Sequence, residues 1–164
     1  MMDRRQFLGA GVAGAAALLT ASPALAAEAG LRKIPSTGAM IPVVGLGTWI
    51  TFNVGNDPVL LRQSVDVMRT FFREGGGMID SSPMYGSAQK TIGHGLGELG
   101  PQASLFSADK IWTSSPAEGP DQLAEAGRNW RVDRFDLMQV HNLVAVDEHL
   151  EMLFARKAAG EIAH

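Results

Sequence analysis

From Leu31 onward the sequence alternates short apolar runs with longer stretches of helical periodicity, and it does so four times. This alternation constrains the chain more than any other feature, because strands separated by crossover helices pair in parallel and carry the helices on their faces. Leu31 to Ile34 and Met40 to Val43, parted by Ser36-Thr37-Gly38, predict a small hairpin that plugs one end of the fold and leads into a first strand, Val43 to Thr48. Asp57 can cap the first helix, Pro58 suits its first position, and Leu61, Val65, Met68 and Phe72 fall on one face before Gly75-Gly76-Gly77 ends it. A second strand, Gly77 to Asp80, precedes a helix with Ile92, Leu96 and Leu99 on one side. Gly93, Gly95 and Gly97 weaken that helix by up to about 1 kcal/mol each, so packing must hold it. The third unit pairs Leu105 to Trp112 with a helix from about Pro120 to Trp130, whose inward side is expected to be Leu123, Gly127 and Trp130. In the fourth, Phe135 to His141 reads as a buried strand, Asp147 as a cap, Leu150, Leu153 and Phe154 as a helical stripe, and Gly160 as a stop. Glu161-Ile162-Ala163 then approaches a fifth strand.

Nothing in this run marks the reversal of strand order that an open doubly wound sheet needs. The expected class is therefore α/β, a (β/α)8 TIM barrel represented by roughly its first four βα units with an N-terminal β-hairpin. A closed barrel takes eight strands and about 250 residues. Half of one exposes two strand edges and the face meant for the other half. Residues 27–164 are accordingly expected to be marginally stable, to self-associate through those edges, or to belong to a longer reading frame.

The first residues differ in kind. Arg4-Arg5 precede Phe7-Leu8 and an Ala/Gly-rich apolar run that reaches Ala27, and Ala24-Leu25-Ala26 offers the small side chains of a signal-peptidase site. The segment over 1–26 resembles a cleaved twin-arginine export signal, which implies a periplasmic enzyme that meets the membrane only in transit. The alternative is an uncleaved anchor helix. Gly9-Ala10-Gly11-Val12-Ala13-Gly14 spells a dinucleotide fingerprint, but no strand precedes it and no βαβ unit surrounds it, so it carries no cofactor. The chain has no cysteine, hence no disulfide framework and no thiolate metal site. A net charge of -3, with no basic run interleaved with aromatics, excludes a nucleic-acid surface.

Barrel enzymes place their chemistry at the C-terminal ends of the strands. Four polar groups collect there in this sequence: Asp80 ends the second strand, Tyr85, the only tyrosine, follows five residues later, Lys110 ends the third and His141 the fourth. A phenol can give up a proton, and a nearby ammonium favours the phenolate that this leaves. A carboxylate keeps a buried ammonium charged and in place. An imidazole can hold the substrate oxygen. Each residue alone has an ordinary structural explanation.

Gly45-Leu46-Gly47-Thr48-Trp49, Asp80-Ser81-Ser82-Pro83-Met84-Tyr85-Gly86, Lys110 and Gln139-Val140-His141 resemble the aldo-keto reductase family from about Leu31 to the last residue. The resemblance implies an oxidoreductase that reduces aldehyde or ketone carbonyls with NADP(H). It implies a catalytic tetrad of Asp80, Tyr85, Lys110 and His141, and a cofactor and substrate pocket lined by Gly47, Thr48, Trp49 and Asp80. Gln89 stands where the family commonly has Glu, a change expected to leave the chemistry alone. The family's groups for the carboxamide and the 2′-phosphate lie on later strands. His94 and His149 read as helix-surface residues, and His164 lacks catalytic company. A metal-dependent barrel hydrolase using Asp80 and His141 is the competing enzyme, disfavoured by a lysine that would repel a cation. A non-catalytic half-barrel remnant is the competing non-enzyme.

Overall fold

A computed structural model of the chain describes residues 30–164. The expected export signal over 1–26, with Arg4, Arg5 and the Gly9 to Gly14 motif, lies outside the described residues. β1 (Leu31–Lys33) and β2 (Met40–Pro42) form a two-stranded ribbon. Gly38 turns the corner at φ 77°, which an L side chain rarely adopts. The ring of Pro42 abuts Gly77, where a Cβ would sit 3.2 Å from Pro42 Cγ. The ribbon thus reaches the N-terminal end of the main sheet, away from the rim that carries the polar quartet.

That sheet is parallel, with β3 (Gly45–Gly47), β4 (Met78–Asp80), β5 (Phe106–Ile111) and β6 (Leu137–Val140) in sequence order. Sequential order without a switch is the arrangement of a barrel wall. Gly47 pairs with Asp80, Asp80 with Ala108, and Lys110 with Gln139. Because paired residues of parallel strands point the same way and the period is two, Asp80, Lys110 and Gln139 share one face. Ile79, Asp109 and Met138 share the other. Phe135 bridges to Ile162 in parallel, and the N–H of Met138 donates to His164 O at 3.0 Å, so the last residues run beside β6 as the sequence pattern predicts.

Four helices cover the outer face among the described residues: α1 (Pro58–Arg73), α2 (Ala88–Leu99), α3 (Gly119–Trp130) and α4 (Val146–Ala158). None is long and apolar enough to cross a membrane. Asp57 caps α1 as expected, accepting the N–H of Val59 at 2.8 Å and of Leu60 at 3.0 Å. Between helices and sheet lies a core built around Met68, Ile79, Ile92, Ile111, Trp130, Phe135 and Leu153. Each fully buried aliphatic side chain there stabilises by about 2 kcal/mol, and Trp130 meets Phe135 edge to face at 5.6 Å. The glycines of α2 have a packing reason. A Cβ on Gly93 would stand 1.8 Å from Asn129 O, and one on Gly95 2.4 Å from Met68 Sδ, so α3 and α1 close on α2 only because those positions are bare.

Three local expectations are corrected. Asp147 lies in the first turn of α4 but does not cap it; the cap position is Ala145, in the left-handed region at φ 46° with no side-chain bond. Of the expected stripe in α4 only Leu153 is buried; Leu150 and Phe154 are exposed, and His149 is buried in their stead. In α3 Trp130 is buried as expected, together with Gly119 and Ala126, while Leu123 and Gly127 are only half-buried. Asp147 cannot cap because α4 already begins at Val146, and which side of α3 and α4 is covered is decided by the neighbouring elements, which the periodicity of one helix does not encode.

Candidate active site

β5 carries Lys110 to the C-terminal rim, and β4 ends there on Asp80. The lysine Nζ lies 2.6 Å from each carboxylate oxygen of Asp80 and donates to Ser81 O at 2.8 Å. All three of its protons are thus engaged. With the Lys110 side chain only 13% exposed and that of Asp80 33%, the pair is partly withdrawn from water and each charge faces its counterpart. Asp80 is held in turn: Gln139 Nε2 donates to its Oδ1 at 3.2 Å, and the hydroxyl of buried Thr48 donates to its backbone carbonyl at 2.8 Å.

Tyr85 is delivered by a single 3-10 turn, Pro83–Tyr85. Pro83 presets that turn, the Tyr85 N–H donates to Ser82 O at 3.0 Å, and Gly86 leaves it at φ 62°. A Cβ on Gly86 would strike Asn53 Oδ1 at 2.4 Å, and Asn53 accepts the Ser87 N–H at 2.9 Å. The loop after β3 and the loop after β4 are therefore tied together. Lys110 Nζ lies 5.5 Å from the centroid of the Tyr85 ring, within the range of a cation–π contact. His141 follows β6 directly and meets Tyr85 edge-on, with centroids 5.6 Å apart and planes at 80°. Its pKa is lowered, first by burial and then by the charge of Lys110, against the opposing pull of Asp80, so the ring is held neutral at neutral pH.

The structure brings Asp80, Tyr85, Lys110 and His141 to one rim. Gly47, Thr48 and Trp49 reach the same rim at the end of β3. Trp49 is 62% exposed, and a Cβ on Gly47, which pairs with Asp80, would touch nothing within 4 Å, which leaves open space at this edge of the rim. Thr48 is fully buried and acts through the Asp80 carbonyl rather than by facing that space. Ile50 and, after β6, Asn142, Leu143 and Ala145 hold positive φ without being glycine. Such strain persists only where the surroundings fix it, and it gathers at functional rims.

Sequence reasoning passed over several members. Ser82 Oγ lies 2.6 Å from His141 Nδ1. Trp112, with its ring 6.4 Å from His141, has its backbone pinned by Gln122, which accepts its N–H at 2.5 Å and donates to its carbonyl at 3.0 Å. The K-x-W spacing from Lys110 was the available signal. Behind β5, buried Asp109 accepts from Gln89 Nε2 at 2.8 Å, and Asn129 Nδ2 donates to Gln89 Oε1 at 3.2 Å. Gln89 is therefore a structural member of the core. His149, expected on a helix surface, is fully buried; its Nε2 bonds Thr113 O at 2.8 Å and its Nδ1 has no partner. A heptad-scale pattern cannot separate a polar surface position from one that a loop folds over. His94 is half-buried. Among the described residues no three His, Cys, Asp or Glu side chains gather as a metal-holding group.

Residues 43–164 match the sequence profile described as the aldo/keto reductase family. The chain is 27% identical over 148 residues to the aldo-keto reductase YhdN of Bacillus subtilis, a match that covers 79% of this chain and 44% of that one. Among solved structures, an aldo-keto reductase from Klebsiella pneumoniae in complex with NADPH superposes with a TM-score of 0.65 at 22% identity, over 77% of this chain and 45% of that chain. The glycerol dehydrogenase AKR11B4 from Gluconobacter oxydans gives 0.67 at 24% identity, over 81% and 46%. The structural likeness establishes the barrel fold, and the chain spans about half the length of the proteins it matches. With the profile matched from the approach to β3 through to residue 164, the chain belongs to the aldo/keto reductase family.

Proposed function

We propose that this protein is an oxidoreductase that reduces the carbonyl of a small aldehyde or ketone at the rim formed by Asp80, Tyr85, Lys110 and His141, using NADP(H). The observation that carries the reading is the placement of Lys110: clamped by both oxygens of Asp80 at 2.6 Å and standing 5.5 Å from the Tyr85 ring. A carbonyl becomes an alcohol when a hydride reaches carbon and a proton reaches oxygen. The reduced nicotinamide supplies the hydride when bound. The residues present fit such a ring: open space over Gly47, the exposed indole of Trp49, and a rim whose single cation is already neutralised by Asp80. Gly47, Trp49 and Asp80 would hold it, with Thr48 fixing Asp80 from behind.

The chain's own residues handle the proton. Tyr85 is the acid, with its hydroxyl giving the proton to the carbonyl oxygen as negative charge develops there. Lys110 places a fixed positive charge beside the phenolate that remains. Asp80 keeps Lys110 charged and immobile. Neutral His141 orients the carbonyl oxygen by a hydrogen bond. The complex of the Klebsiella pneumoniae aldo-keto reductase with NADPH supports the cofactor, and NADPH against NADH is decided by comparing the two in the same assay.

The test is consumption of the reduced cofactor in the presence of a panel of aldehydes and ketones, compared between wild type and Tyr85→Phe. Carbonyl-dependent oxidation by the wild type, lost in the variant, is the expected result; equal rates in both would overturn the assignment. Arg4-Arg5 and the apolar segment after them support an enzyme that acts in the periplasm. Recovery of the mature protein from the cytoplasm alone, with its N-terminus intact, would contradict export.

A further inference from the structure

The two ring nitrogens of His141 have different surroundings, and a residue outside the quartet distinguishes them. Ser82 is completely buried and begins the turn that delivers Tyr85. Its Oγ has two partners: it accepts the Met84 N–H at 3.2 Å and lies 2.6 Å from His141 Nδ1. A hydroxyl has one proton to give and two lone pairs to offer. With Met84 occupying a lone pair, the hydroxyl proton has one acceptor within reach, His141 Nδ1. The reverse arrangement, with Nδ1 carrying the hydrogen, would leave the Ser82 proton buried and unpaired, which folded proteins avoid. His141 Nε2 has no hydrogen-bond partner among the described residues.

We propose that Ser82 is a positioning residue that sets the tautomer of His141, holding it as the Nε2–H form so that the nitrogen facing the rim is a donor to the carbonyl oxygen. The inference rests on the reductase reading for its purpose but not for its geometry. It also divides the labour. A neutral Nε2–H donates a hydrogen bond and keeps its proton, so the proton that completes the alcohol comes from Tyr85. The same hydroxyl caps the turn carrying Tyr85, so one buried atom sets both the orientation of the hydrogen-bond donor and the position of the acid.

The test is an NMR correlation of ring protons with ring nitrogens in protein carrying isotope-labelled histidine, recorded without cofactor or substrate. The His141 signals are identified by their loss in His141→Gln. Wild type is expected to show a protonated Nε2 and an unprotonated Nδ1. Ser82→Ala is expected to raise the Nδ1–H population several-fold, and Ser82→Thr, which keeps the hydroxyl, to restore the wild-type pattern. A wild-type His141 with its hydrogen on Nδ1 would overturn the proposal, and this reading needs no variant to fold. A Ser82→Ala protein with native signal dispersion and an unchanged tautomer ratio would overturn it as well. In turnover, Ser82→Ala is expected to lower kcat/KM for the carbonyl by about ten-fold, less than the loss on removing an oxyanion donor outright, with KM for NADPH unchanged. The expected tautomers in a protein that reduces no carbonyl would defeat the functional reading while leaving this one standing.

Discussion

Asp109 and Lys110 are neighbours in β5, yet the pleat sends them to opposite sides of the sheet and the fold treats their charges in opposite ways. Lys110 faces the rim and receives a full countercharge from Asp80 at 2.6 Å. Asp109 faces the helices and receives only neutral donors, the Lys110 N–H at 2.7 Å and Gln89 Nε2 at 2.8 Å. Burial wins over those hydrogen bonds and pushes its carboxyl up to about 6. The contrast teaches that a paired charge is retained at the rim, where solvent can meet it. An unpaired one, placed in the core, approaches neutrality and serves as a hydrogen-bonding hub between α2 and α3.

The sharpest way to break the comparison is to swap chemistry for structure. Lys110→Met is expected to lower carbonyl reduction by about 10³-fold or more, whereas Asp109→Asn changes it by less than about three-fold; turnover assays on variants with native circular dichroism decide the matter. Comparable losses from both would mean that the two faces are not separate.

The next largest effect is on stability against pH. Unfolded, Asp109 titrates at its ordinary 3.8; folded, at about 6. Between those values the folded chain holds a proton that the unfolded chain has released, so stability falls as pH rises from about 4 to about 6. The expected loss from this one group is about 3 kcal/mol. Denaturant midpoints measured across that window should show the fall in wild type and a flatter profile in Asp109→Asn.

Gly93→Ala should cost about 2 kcal/mol, since its Cβ would meet Asn129 O at 1.8 Å and push apart the two helices that supply the Asp109 network. A drop in Tm of several degrees checks it. The smallest expected effect is that of Gln89→Leu, about 1 kcal/mol, because Asp109 keeps the Lys110 N–H while Asn129 Nδ2 turns toward solvent. Its signature is a steeper fall of stability with rising pH, as the carboxyl is driven further toward its neutral form.

Much of this was legible in advance. The strand ends at Asp80, Lys110 and His141, the cap at Asp57, and the approach of Ile162 to β6 all follow from patterns a few residues long. The convergence of the quartet was legible because a carboxylate, a phenol, an ammonium and an imidazole at or just after three successive strand ends form an ordered set that resembles the family's, even though each residue is unremarkable alone. Ser82 and Gln139 stood within the motifs that carry the resemblance, but their roles were not legible, since serine and glutamine at loops and strand ends are common and their meaning is a partner far along the chain: 59 residues away for both Ser82 with His141 and Gln139 with Asp80. His149 was misread because polarity on a helix suggests water until the Thr113 to Gly119 segment is seen to cover it.

By itself, then, the sequence determined the period, the order of the elements and the residue types that reach the rim. Local backbone preferences and apolar spacing act over a turn or a strand, and they leave their mark in consecutive residues. Only the tertiary structure decided which polar groups satisfy one another: that Asp109 faces inward without a cation, that Gln89 belongs to the core, and that a buried serine hydroxyl addresses one nitrogen of His141. Those pairings depend on helix rotation and loop path, distances of a few ångströms set by packing between segments that have no knowledge of each other in the linear chain.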